Sequence, residues 1–143
     1  MDIKSLRIGD WVYNKHHGKN IRLTPYDFFT HTHNDFGEQE LAPSAKPTIG
    51  RDLEPIAVTP EFLLKNGFVE MSKGRYVCHV MTGDGYFDIR LKDLNNGTWM
   101  LIISSWNKTT DTTSMFTASN AKMSVCELQH YIADCKIDKQ IVL

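Results

Sequence analysis

Apolar and polar positions divide this chain into a weakly patterned opening and a well-patterned remainder. Residues 6–13, LRIGDWVY, read as a strand interrupted at Gly9 and Asp10, because glycine inside a strand pattern marks a bulge or a sharp bend. A polar loop over residues 14–20 and a second strand over residues 21–29 complete an opening pair. Residues 30–54 then show no helical period and no sustained alternation, and they carry Gly37, Pro43, Pro47 and Gly50. They are expected to form a long polar loop, pinned near its start by Phe28, Phe29, Phe36 and Leu41.

From residue 55 the punctuation is clear. In PIAVTPEFLLKNGF, Thr59 suits a helix N-cap, Pro60 the first helical position and Gly67 the left-handed residue that ends a helix. Three strands follow as an antiparallel meander: residues 75–81, 85–91 and 98–105, separated by Gly83-Asp84-Gly85 and Asn95-Asn96-Gly97. The middle one alternates, with Phe87, Ile89 and Leu91 on one side and Tyr86, Asp88 and Arg90 on the other. Met115-Phe116 falls in a Thr/Ser-rich stretch that fits a fourth, edge strand. Ser124 and Glu127 have capping-box spacing, and Val125, Leu128 and Ile132 share one face of the helix that they open. Residues 141–143 are either a short terminal strand or an apolar tail.

The pattern predicts an α+β fold: a strongly bent antiparallel sheet, with a small partly open barrel as one form of it, and two short helices. A length of 143 residues fits a single domain over 1–143. Net charge is −1, so no global field favours a phosphate backbone or an anionic membrane. Cys78, Cys126 and Cys135 are odd in number and form no disulfide framework, which favours a reducing compartment. No apolar run is long enough to span a bilayer and no signal-peptide pattern opens the chain, so the expected location is cytoplasmic, with no membrane partner.

Candidate chemistry is sparse. His31, His33, Asn34, Asp35, Phe36 and Glu38 form the densest polar cluster, and the long loop that carries them is the expected contact surface for a protein partner. His31 and His33 would share a side of an extended segment, a spacing that metal sites use, but no third ligand stands nearby in sequence. A metal-dependent activity there is therefore an alternative, and neither a metal nor a cofactor is expected. Trp11, Lys15, His17, Lys19 and Arg22 interleave basic and aromatic side chains, the alternative reading being a nucleic-acid-binding regulator. Cys126 and His130 lie four apart on one predicted helix, where a buried thiol and a dipole-favoured histidine explain them. No nucleophile elbow, phosphate-cradling loop or paired carboxylate appears, so the chain is expected not to be an enzyme.

Three segments, LRIGDWV at 6–12, PIAVTPEFLLKNGF at 55–68 and VCELQHYIADC at 125–135, resemble in order and spacing a group of small uncharacterised proteins of Bacteroidetes and their phages or mobile elements. Members share an opening L-R-I-G-N-x-V, a middle P-I-x-L-T-x-x-x-L-x-K-x-G-F and a closing V-H-E-L-Q. Cys126 stands where that pattern has His, and the ending KIDKQIVL departs from it. The resemblance implies origin in such an element and a shared scaffold, and it implies no activity; the long polar loop, on a scaffold with no catalytic constellation, makes the expected role that of a non-enzymatic binding or accessory protein of the element.

Overall fold

The computed structural model describes residues 5–33, 35–44, 52–120 and 122–143. The chain falls into two units, Met1–Ile56 and Ala57–Leu143.

In the first unit, β1 (Trp11–Asn14) pairs antiparallel with both β2 (Lys19–Arg22) and β5 (Leu53–Glu54). The strand expected over 6–13 is shortened to its second half. Gly9 takes φ +92° and donates its amide to the Leu23 carbonyl, while buried Asp10 accepts from the Arg7 amide at 2.8 Å. Residues 7–10 thus close a turn, a conformation that glycine reaches without steric cost. The strand expected over 21–29 is also broken, since a 3₁₀ turn spans Pro25–Phe28 and the Asp27 carboxylate accepts from the Thr24 amide. Beyond it, β3 (Phe29–His33) pairs with β4 (Gln39–Pro43) in register from Phe29↔Pro43 to His33↔Gln39. The unpatterned loop expected over 30–54 is therefore largely a hairpin followed by β5. Threonines at 30 and 32 have strand propensity, and Gly37 at φ +76° serves the turn. Residues 45–51 of that stretch lie outside the described residues.

The second unit keeps closer to its sequence pattern. Helix α1 (Pro60–Lys65) is capped by Thr59, whose Oγ1 accepts from the Phe62 amide at 3.2 Å, and Gly67 follows at φ +84°. Five antiparallel strands come next: β6 (Val69–Ser72), β7 (Arg75–Thr82), β8 (Gly85–Asn95), β9 (Thr98–Asn107) and β10 (Thr112–Asn120). They lie in the order β10-β9-β8-β7-β6. Asn96 and Gly97, both at positive φ, make the two-residue turn that matches strand twist between β8 and β9. Helix α2 (Val125–Asp134) starts at Ser124, whose Oγ accepts from the Glu127 amide at 3.2 Å.

One face of this sheet is the core face. Tyr76, Cys78, Ile89, Leu91, Trp99, Leu101 and Ile103 alternate onto it and are buried. Contacts that tie it to the rest of the unit include the Trp99 indole donating to the Val58 carbonyl and Phe116 packing on Tyr131 of α2 with ring centroids 5.5 Å apart. Residues 141–143 form no strand. Buried Asn66 clasps them instead, its Nδ2 donating to the Val142 carbonyl and its Oδ1 accepting from the Val142 amide. The architecture is α+β, with antiparallel sheets that do not close into a barrel. β6 is only four residues long and slips register between Glu70 and Ser72, so the five-stranded sheet ends in two edges rather than a seam. Among the described residues, no helix is long and apolar enough to cross a membrane.

Candidate functional site

Strand alternation sends the second set of side chains in the five-stranded sheet to the face opposite the core. Register places them in cross-strand rows: Arg75, Lys92 and Met100; Val77, Arg90 and Ile102; His79, Asp88 and Ser104; Met81, Tyr86 and Trp106. β10 adds Thr113, Met115, Thr117 and Ser119 to the same face.

This face is apolar for one that is not core. Met81 is 76% exposed and Met115 72%, and Met100 and Ile102 are half-buried. With Met71, four of the chain's six methionines border it. A groove of about 510 Å³ runs over buried Val77, between Met71 and Met100, with Arg75, Arg90 and Lys92 around it. A second depression of about 240 Å³ is lined by Tyr86, Trp106 and Met115. Here Tyr86 and Trp106 pack against each other at 5.8 Å, and the Trp106 indole is fixed by donating to Asp111 Oδ1.

Charge on the face is one-sided. Arg75 and Lys92 are directly opposite in the β7–β8 register, and Arg90 is two residues from Lys92 on the same side. Like charges placed directly across a sheet destabilise it. The one carboxylate in these rows is Asp88, buried and engaged from two sides: its Oδ1 shares a hydrogen bond with His79 Nδ1, and its Oδ2 lies 3.6 Å from an Arg90 Nη. Asp88 therefore orients Arg90, while no ion pair engages Arg75 or Lys92 among the described residues. On the core side of β7, burial pushes the Tyr76 phenol above its ordinary pKa, and the negative charge of the nearby Glu70 carboxylate adds to the effect. Chemically, the groove offers three cationic donors beside an adaptable aliphatic floor, a setting for an anionic ligand that also has apolar groups.

The binding residues expected from sequence, and the alternative basic and aromatic set, lie in the first unit. His31 and His33 occupy alternate positions of β3, opposite Leu41 and Gln39. Asn34 lies outside the described residues. Asp35, Phe36 and Glu38 are in the turn that follows, all exposed, Phe36 at 87%. Among the described residues, no group of three His, Cys, Asp or Glu is placed to hold a metal.

The basic and aromatic residues of the first hairpin are divided by its pleat. Trp11 and Tyr13 alternate onto one face with Arg22, while Lys19, opposite Asn14, takes the other. Lys15 lies 3.6 Å from Glu54, Arg22 donates to the Gly9 carbonyl, and His17 sits in the turn with its amide bound to Asn14. Cys126 is buried with its sulfur 3.3 Å from Ser124 Oγ, and burial followed by Asp134 pushes the Cys135 thiol up, away from thiolate chemistry.

The groove went unseen in the sequence because its three cations are dispersed over two strands that read as ordinary amphipathic alternation. A signal was present, however. The solvent side of β8 reads Tyr-Asp-Arg-Lys, and methionine is a costly residue to leave on a water-facing strand. Comparison with family models, with curated proteins and with solved structures yields no match.

Proposed function

We propose that this chain is a non-enzymatic binding protein, an accessory protein of a phage or mobile element, and that its partner is an acidic, apolar polypeptide segment lying across the open face of the five-stranded sheet. The observation that carries the reading is the cation cluster Arg75–Arg90–Lys92 set on a methionine-rich face. The resemblance of three sequence segments to small proteins of Bacteroidetes and their phages supports the setting.

Three features favour a polypeptide over a nucleic acid. The side chains beside the cations are mostly aliphatic, namely Val77, Met71, Met100 and Ile102, and the ring of His79 among them is held by Asp88. The aromatic pair lies at the far end of the face, four residues along β8 from Arg90, or about 14 Å at strand rise. Stacking platforms for bases alternate closely with cations instead. Unbranched methionines also refit to differing aliphatic partners, as surfaces that bind amphipathic segments require.

The test is a fluorescence-anisotropy titration of the whole protein against three labelled probes: a peptide alternating Glu and Leu, one alternating Lys and Leu, and an oligothymidylate. The Glu-Leu peptide is expected to bind, more weakly at high salt, and the Lys-Leu peptide to fail. Arg75→Glu with Lys92→Glu should weaken the Glu-Leu peptide by about fourfold or more, since two attractions become two repulsions of about 0.2–1 kcal/mol each. Absence of Glu-Leu binding, or binding indifferent to the double reversal, sinks the proposal. Preference for the oligonucleotide would turn the reading to nucleic acid.

A further inference from the structure

The two edges of the five-stranded sheet are built differently. β6 has the devices that stop a sheet from growing: four residues, a register slip between Glu70 and Ser72, an acidic side chain within it and Lys73 after it. β10, Thr112–Asn120, has none of them. It is nine residues long, about 30 Å at strand rise. Its pairing with β9 runs unbroken from Thr112↔Asn107 to Asn120↔Trp99, and its sequence, TTSMFTASN, holds no charge and no proline. Among the described residues, the only strand bonded to it is β9, and alternate residues of an edge strand direct their N–H and C=O groups outward.

We infer that β10 pairs antiparallel with β10 of a second copy of this chain, joining two sheets into one of ten strands. The occupant follows from the edge's own composition. A two-fold axis at Phe116 sets Phe116 against its counterpart, Met115 against Thr117, Ser114 against Ala118, Thr113 against Ser119 and Thr112 against Asn120. No like charges meet in any of these pairs, and none would in neighbouring registers. The bulky residue at the centre is flanked on its face by the small Ser114 and Ala118, so two copies of Phe116, each 38% exposed beside Tyr131, gain cover without crowding. A closed two-fold contact also consumes the exposed edge, where a heterologous one would leave a free edge to propagate. Because the axis is perpendicular to the sheet, both cationic grooves open on the same side.

Sedimentation equilibrium of the full chain from micromolar to submillimolar concentration tests this. A dimer of twice the 16.4 kDa chain mass is expected. Met115→Lys with Thr117→Lys puts lysines opposite one another across the axis and should weaken dimerisation by more than about tenfold, while Val69→Lys on the other edge should leave it intact. A monomer throughout the range, or a dimer untouched by the double substitution, overturns the inference. Should the double variant fail to fold, hydrogen exchange of the unmodified protein decides: amides of 112–120 should gain protection with concentration while those of 69–72 do not, and equal behaviour of both edges overturns it.

Discussion

Lys92→Glu should make this protein more stable and worse at binding. In the fold, Lys92 stands directly opposite Arg75 and two residues from Arg90 on one side of β8. A cross-strand charge pair is worth about 0.2–1 kcal/mol in either sense, so turning repulsion into attraction against Arg75 yields about 0.4–2 kcal/mol. Arg90, about 7 Å away along the strand, contributes a few tenths in the same direction after solvent screening. A gain near 1 kcal/mol raises the melting temperature by about 3–6 °C for a chain of this size. Thermal unfolding followed by circular dichroism, at low salt and at molar salt, reads it. The rise should shrink at high salt, where the Debye length falls to about 3 Å. Affinity for the Glu-Leu peptide should meanwhile fall several-fold. A lower melting temperature at low salt, or a rise independent of salt, refutes the claim that folding tolerates a costly cation cluster for the sake of binding.

Other outcomes follow from single contacts. Asn66→Ala removes three hydrogen bonds, to Phe62 and to both backbone groups of Val142, and should cost about 2–4 kcal/mol in urea unfolding; the loss should not add to that of deleting residues 141–143, which make the other half of the clasp. Ser124→Ala, losing the cap on the Glu127 amide, should cost about 1 kcal/mol in the same assay. Gly85→Ala should be far more disruptive than a glycine change on the surface, because a Cβ there would lie 1.8 Å from the Trp106 carbonyl oxygen; soluble yield and melting temperature should both drop. The Tyr76 phenol has a raised folded pKa, so it favours the native state below the unfolded value near 10 and loses that contribution as pH rises through the folded value. Melting temperature should therefore fall as pH rises above about 10, more steeply than in Tyr76→Phe.

The elements legible in the sequence are those whose boundaries are set by local chemistry. Thr59, Pro60 and Gly67 bracket α1, Ser124 opens α2, and Asn96-Gly97 turns β8 into β9, because each answers to the backbone of its immediate neighbours. The errors fall where partners are distant. LRIGDWVY reads as a strand bent at Gly9 until Gly9 is seen bonded to Leu23, and residues 30–43 read as a loop until β3 finds β4. Residues 141–143 carry no hint that Asn66 will hold them, because that clasp spans 76 positions.

The candidate site is a case of the same rule. By itself the sequence determined which side of β8 is core, since Ile89 and Leu91 alternate with Asp88, Arg90 and Lys92. Only tertiary structure decided that Arg75 would meet Lys92, that Asp88 would be engaged by His79 and Arg90, and that four methionines would border one face. Alternation is a property of one strand and survives in its letters. A groove is a property of register between strands, and a register slip of one residue would send these same side chains to the other face.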